Sequence, residues 1–353
     1  MFDVITIGSA TLDVFIESDS ANIVSVSSKD RRSDFMSFPY GSKVEIDDFS
    51  RSLGGGAINT AMNFANLGYK TSTVVKLGHD EISPVICENL IKSNIDTSNV
   101  IRAQEGLTGF SIILVSFQGD RTVLAHRGAN ARIKEEDINF ENLKDAKWLY
   151  IAPLAGESNQ LLDKLASFAK ENNIKLSINA GTTAIKKGEK YFSKIIETAD
   201  ILVLNKEEAS LLTKISVRPD TKNEKYSKEF IHPDIIDMLK ALKKDNKVNV
   251  VITDGKAGVY AYNGETFYKA PEFPAIVRST LGAGDAFSST FTAAMEKYNM
   301  NMKKALECAS VNAASVVEVF GAQEGFLTFD EIDEKLKSAP EFKVEAKNKD
   351  EIR

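Results

Sequence analysis

Cysteine, histidine and tryptophan are scarce in this chain, numbering two, three and one among 353 residues. Cys87 and Cys308 each sit in a helix-like pattern, and His79, His126 and His232 are scattered without metal-ligand spacing. Neither a disulfide scaffold nor a structural zinc site is expected. A basic excess is also lacking, since 44 Lys and Arg stand against 50 Asp and Glu for a formal net charge of -6. That balance excludes broad neutralisation of a nucleic-acid backbone, so any anionic ligand must be held locally. No apolar run is long enough to cross a bilayer, and Met1-Phe2-Asp3-Val4-Ile5 has no basic segment ahead of an apolar one. This predicts a cytoplasmic protein with no membrane partner. Internal repeats and low-complexity tracts are absent as well.

What is present is ordinary globular material, 43% hydrophobic and 27% charged, enough to bury a large core. Short apolar runs at residues 2–8, 72–77, 175–178, 201–204 and 248–253 alternate with segments of helical period at 57–67, 158–170 and 234–244. Strand and helix alternating in this way predict a doubly wound α/β fold, a mostly parallel sheet flanked by helices. Residues 110–124 break the alternation, because two apolar runs flank Gln118-Gly119-Asp120 as in a hairpin. With the polar, β-tinged stretch 18–51 they are expected to form a small β-sheet lid. The organisation read from this is one domain over 1–337, lid segments at about 14–52 and 108–127, and a charged C-terminal tail over 338–353. The end of the tail is expected to be loose, and 216–233 reads as an exposed insertion away from the chemistry. A lid sheet has an apolar face that needs cover, so a homodimer through the lids is expected.

The richest chemical signal is Ser279-Thr280-Leu281-Gly282-Ala283-Gly284-Asp285-Ala286-Phe287 ahead of the helical run 288–297. Small residues at a helix start let the backbone N–H groups of Gly282, Ala283 and Gly284 converge where the dipole is positive, which suits phosphate. A carboxylate beside phosphate is electrostatically costly unless it handles a proton. Asp285 therefore reads as a base for an attacking hydroxyl, or alternatively as a helix cap beside a tight turn. Gly54-Gly55-Gly56-Ala57-Ile58-Asn59 again leads into an apolar helix. Gly55 and Gly56 would let backbone approach a polyhydroxylated ligand to which Asn59 offers a donor and an acceptor; a sharp turn with a solvated Asn is the other reading. Asp13, just past the first strand, is an acceptor for sugar hydroxyls or a turn residue. In Asn205-Lys206-Glu207-Glu208, Asn205 and Glu208 share one face of a starting helix, placed for the water shell of Mg²⁺ or merely as an ordinary first turn. Thr253 and Gly255 mark another strand terminus, which alone indicates only a turn.

Taken in this order, Gly54-Gly55-x-x-x-Asn59, Asn205-x-x-Glu208, Thr253-x-Gly255 and Gly282-Ala283-Gly284-Asp285 resemble the ribokinase-like (PfkB) carbohydrate kinases, from residue 2 to about 329. The resemblance implies transfer of the γ-phosphoryl group of ATP to a hydroxyl of a sugar or sugar-like molecule, with Mg²⁺. It implies Asp285 as base, the amides of Gly282 to Gly284 as anion hole, and Asn205 and Glu208 near the metal and phosphates. Thr253, Gly255 and Asn312 would line the nucleotide site, and Asp13, Gly55, Gly56 and Asn59 the acceptor site. Arg127 falls where sugar-acid kinases of the family carry a substrate-binding Arg, although a surface Arg reads the same. Two departures stand out. Ser279-Thr280-Leu281 replaces a frequent Asp-Thr-Thr whose carboxylate helps hold a monovalent cation, so potassium dependence is expected to be weak; and Gly56 replaces the Lys of ribokinase, so ribose is not implied. A nucleoside kinase of the same family and a non-catalytic sugar or nucleotide sensor are the alternatives. A dinucleotide-dependent dehydrogenase is excluded because Gly8-Ser9-Ala10-Thr11-Leu12-Asp13 lacks the glycines of its fingerprint.

Overall fold

The structure, a computed structural model, describes all residues except 19, 28–31, 117–120, 219–228, 244–246 and 353, and leaves out the side chains of Arg32, Glu189 and Lys190. In chain order the strands are β1 (Phe2–Ile7), β2 (Thr11–Glu17), β3 (Asn22–Ser27), β4 (Arg32–Ser37), β5 (Asp48–Gly54), β6 (Thr71–Val74), β7 (Lys76–Leu77), β8 (Ile101–Arg102), β9 (Gly109–Val115), β10 (Arg121–His126), β11 (Ala146–Ile151), β12 (Lys175–Asn179), β13 (Ile201–Asn205), β14 (Asn249–Thr253), β15 (Val259–Tyr262), β16 (Thr266–Ala270) and β17 (Glu345–Asn348). The helices are α1 (Gly56–Asn66), α2 (Ile82–Lys92), α3 (Phe140–Leu143), α4 (Leu161–Glu171), α5 (Thr182–Ile185), α6 (Glu189–Thr198), α7 (Lys206–Thr213), α8 (Pro233–Lys243), α9 (Ala283–Lys297), α10 (Met302–Val317) and α11 (Phe329–Ser338).

Nine strands form the main sheet in the order β17-β16-β15-β14-β13-β12-β11-β1-β6. From β6 through β14 every pairing is parallel; β14 to β17 add an antiparallel edge. The parallel strands are continuous apolar runs because both of their faces are covered. Ile5 and Ile7 of β1 pack into a core with α4, α6 and α8, while Val4 faces Phe64 of α1 and the helices α9, α10 and α11. This is the doubly wound architecture expected from the alternation. Strand β11, not singled out from sequence, lies between β1 and β12 and alternates Trp148 and Tyr150 on one face with Leu149 and Ile151 on the other.

A separate four-stranded sheet, β10-β9-β2-β5, stands outside the main one. Its strands include both segments expected to form a lid, with β2 parallel to β9 and antiparallel to β5. The stretch between β2 and β5 differs from expectation, since β3 and β4 pair only with each other as a two-stranded sheet. The turn at Gln118-Gly119-Asp120 and most of the insertion 216–233 lie outside the described residues. The tail corrects its expectation more sharply. Its residues 345–348 extend the main sheet as β17, and Phe342 and Val344 are buried, Phe342 edge-on to Phe273 with ring centroids 5.0 Å apart. Charge density hid a short segment whose bulky apolar residues, Phe342 and Val344, face the core. Among the described residues, no helix is long and apolar enough to cross a membrane.

Candidate active site

The helix starts that matter gather at the carboxyl ends of the parallel strands, where open α/β sheets bind ligands. After β1, the chain turns at Ser9 and Ala10 and meets the glycine elbow between β5 and α1. Gly56 N–H donates to Ser9 Oγ at 3.1 Å and Ala57 N–H to Ser9 O at 3.1 Å. Gly55 has φ 97°, and a β-carbon there would lie 2.5 Å from Ser9 O, so only glycine brings these backbones together. A residue that sequence reading missed fixes the other side of the turn. Buried Asn130 accepts from Ala10 N–H at 3.0 Å and donates to Ala10 O at 2.7 Å, replacing strand pairing with a side-chain amide. No local pattern distinguishes Asn130 from a loop Asn; only the distant strand end that it holds does.

Asp285 occupies the first turn of α9, whose N-cap Gly282 is left-handed at φ 80°. Packing of α1 against α9 places Asn59, which is buried, opposite it, and Asn59 Nδ2 donates to Asp285 Oδ2 at 2.8 Å. Gly56 completes the group: a β-carbon there would lie 3.7 Å from Asp285 Oδ1 and only 3.0 Å from Ala152 Cβ. Burial among these elements pushes the Asp285 carboxyl up to about 6, against the opposing effect of the Asn59 N–H. A first-turn acid would ordinarily ionise easily beside the helix dipole, so desolvation outweighs the dipole here. The first-turn N–H groups of Ala283, Gly284 and Asp285 precede any intrahelical acceptor, which leaves them oriented for an anion.

Beside this helix start is a cavity of about 280 Å³. Thr253, Gly255, Ala283 and Gly284 stand at its polar side, and Val259, Phe273, Phe287, Ala313, Ala314 and Val317 make an apolar slot. Asn205 lies next to Thr253 in the β13–β14 register. Its Oδ1 accepts from Glu208 N–H at 2.8 Å while its own N–H donates to Glu208 Oε2 at 3.1 Å, a reciprocal cap on α7. Glu208 also accepts from Thr182 Oγ1 at 3.1 Å, and burial raises its carboxyl above the ordinary range. No group of three or more His, Cys, Asp or Glu able to hold a metal ion occurs among the described residues.

Asp13 lies on β2 in the small sheet, buried, with Ser52 and Ser111 as its cross-strand partners. Hydroxyls of Ser111 and Thr11 bond its carboxylate, yet burial still raises its proton affinity. Gly54 makes room for it, because a β-carbon there would lie 2.2 Å from Asp13 Oδ2. Two expected site residues stand apart. Arg127 is at the surface immediately after β10. Asn312 is fully buried in α10 and does not line the cavity beside α9: its Nδ2 donates to Asn63 Oδ1 at 2.9 Å and Thr290 Oγ1 at 2.7 Å, and its Oδ1 accepts from Leu327 N–H at 2.9 Å. A helix Asn following the glycine motif reads as a ligand contact, but here its amide satisfies polar groups on α1, α9 and the segment after α10. Ser279 Oγ accepts from Leu281 N–H at 3.3 Å, a neutral turn contact at the approach to the start of α9.

A family model described as pfkB family carbohydrate kinase matches residues 20–328. The 5-dehydro-2-deoxygluconokinase of Clostridium botulinum (strain Eklund 17B / Type B) is 26% identical over 310 residues, which cover 84% of this chain and 87% of that protein. Among solved structures, Arabidopsis thaliana ribokinase complexed with ribose and ATP has a TM-score of 0.75 at 21% identity, covering 95% of this chain and 99% of that one. The nucleoside kinase of Methanocaldococcus jannaschii, an archaeal member of the ribokinase family, has a TM-score of 0.73 at 22% identity, covering 95% and 98%. The two structures share the fold with this chain, a large mostly parallel sheet flanked by helices with a small sheet beside it.

Proposed function

The chain belongs to the pfkB family of carbohydrate kinases, ATP-dependent phosphotransferases, and on that premise we propose that Asp285 is the base that activates an acceptor hydroxyl of a sugar or sugar-like molecule. The observation that carries this is the placement of a carboxylate with raised proton affinity, bonded by Asn59, on the first turn of a helix that adjoins a cavity with an apolar slot. In the step proposed, the acceptor oxygen forms a bond to the γ-phosphorus as the bond from that phosphorus to the β–γ bridging oxygen breaks. The hydroxyl proton passes to Asp285, and ADP leaves with the bridging oxygen. Negative charge on the phosphoryl oxygens is met by the N–H groups over Gly282 to Gly284 and by the positive end of α9. The apolar slot suits an adenine ring, with Thr253 and Gly255 at its rim.

Mg²⁺, when bound, neutralises phosphate charge. Glu208 fits a hold on it through water, because both its oxygens already take protein donors and orient the carboxylate without enclosing a cation. The neutral Ser279 supports weak potassium dependence, since a hydroxyl balances a buried cation less well than a carboxylate. Asp13, Gly55, Gly56 and Asn59 would contact the acceptor hydroxyls. The other face of the small sheet supports a homodimer, because Leu12, Val14, Ile16, Phe110, Ile112 and Leu114 point outward and remain partly exposed. The test is ADP release measured across a panel of sugars, sugar acids and nucleosides. Acceptor-dependent release with at least one of them is expected; ATP binding with no acceptor-dependent turnover would make the chain a sensor and overturn the reading.

A further inference from the structure

The segment after α10, Gly321-Ala322-Gln323-Glu324-Gly325, touches the catalytic helix start more closely than any function so far explains. A β-carbon on Gly282 would lie 2.6 Å from Ala322 O, so the segment packs directly on the N-cap of α9. Asn312 holds its far end through Leu327 N–H. Its polar side chain, Gln323, half-buried, donates from Nε2 to Asn59 Oδ1 at 3.2 Å. Asn59 is thus bonded at both ends, giving its N–H to Asp285 and taking one from Gln323.

We propose that Gln323 is a positioning residue for phosphotransfer, fixing the amide of Asn59 so that Nδ2, and not Oδ1, faces Asp285. This rests on the assignment of Asp285 as base. An Asn amide has two nearly isosteric orientations, and rotation by half a turn would set Oδ1 against the carboxylate. An ionised carboxylate only accepts, so the flipped state repels it and favours the protonated acid, which cannot serve as base. Gln323 opposes this rotation, because Nε2 would then face Nδ2, donor against donor, unless the Gln323 amide turned over as well. The remaining groups around Asp285 do not titrate in the working range. From β11, the Tyr150 hydroxyl shares a 2.6 Å hydrogen bond with Ser288 Oγ, and burial together with the Asp285 charge moves its ionisation far upward. From α1 the facing group is Asn59 itself, and Gly56 carries no side chain.

The experiment compares the pH profiles of kcat/KM for the intact chain, Gln323→Ala and the isosteric Gln323→Glu, which keeps the shape but turns the donor into an acceptor. Both variants are expected to move the acid limb upward by about one pH unit, so that activity falls about threefold at pH 6.5 and nearly tenfold at pH 5, while the profiles converge at high pH, where Asp285 is ionised regardless. The KM for ATP should stay unchanged. A merely structural role would be rescued by the isosteric Glu and would leave the limb in place; an unmoved limb in both variants overturns the proposal. A limb moved in Gln323→Glu alone would be the effect of an added charge and overturns it too. Asp285→Asn run alongside separates the two failures: if it is inactive while both Gln323 variants keep the original limb, only the role of Gln323 falls, whereas an active Asp285→Asn removes the base itself.

Discussion

Asp285 sits under opposing influences at a single carboxyl, burial favouring the neutral acid and the Asn59 N–H favouring the anion. Burial dominates, as the proposed role of a general base near neutral pH requires. With the carboxyl pushed up to about 6, kcat/KM should rise with pH through about 6 and level off above it, because only the ionised form accepts a proton. A titration of kcat/KM against pH at saturating MgATP checks this, and a profile flat from pH 5 to 8 would contradict it. The same shift has a consequence for stability. A carboxyl whose proton affinity is higher folded than unfolded stabilises the fold in acid, and that contribution is lost as pH rises from the ordinary 3.8 towards about 6. Asp285→Asn should therefore melt higher than the parent at pH 7.5, by about 2 °C or more, with the gap closing below pH 4. A helix cap would behave the opposite way, its loss lowering the melting temperature. At this scale the sequence was legible where chemistry is local. Glycines and the acid within one loop could be read, whereas Asn130 and Gln323 act on residues more than a hundred positions away and look like ordinary loop amides.

Helix starts and strand ends were the elements best read from sequence, since their signals are glycine, capping residues and β-branched runs a few positions apart. Asn205 and Glu208 show the limit of that reading: the spacing that suits a metal's water shell is also that of a reciprocal helix cap, and the geometry contains the cap. Strand β17 was hidden for a different reason. In a tail dominated by Lys and Glu, the buried residues among those described are Ala339, Phe342 and Val344, too few to give a period. The residues just before that strand bear on the cavity beside α9, because Phe342 packs on Phe273, which lines it. Phe342→Ala should lower stability by roughly 3 kcal/mol and raise the KM for ATP several-fold, leaving the KM of the acceptor unchanged. Thermal melts and steady-state kinetics measure both, and an unchanged KM for ATP would detach the tail from function.

At the scale of the molecule, alternation of strand and helix sufficed for the doubly wound fold, and the break in alternation at β9 and β10 marked the second sheet. What sequence did not give is which face of that sheet is buried. The structure orders it by parity, Asp13, Phe15, Ser111 and Ile113 buried on one side and Leu12, Val14, Ile16 and Ile112 left partly exposed on the other. Such an exposed apolar face on a sheet centre calls for a partner, and a second copy offers the matching surface. Light scattering should give a dimer, and Val14→Asp, at the middle of β2, should give monomers with the fold retained; a monomeric parent would contradict the assignment. Most direct for the whole account is Asp285→Asn assayed for turnover and, separately, for ATP binding by calorimetry. Turnover should fall by roughly two to four orders of magnitude, while the Kd for ATP changes by less than about threefold, because the helix amides and the apolar slot are untouched. Turnover within a few-fold of the parent, at unchanged ATP affinity, would contradict it.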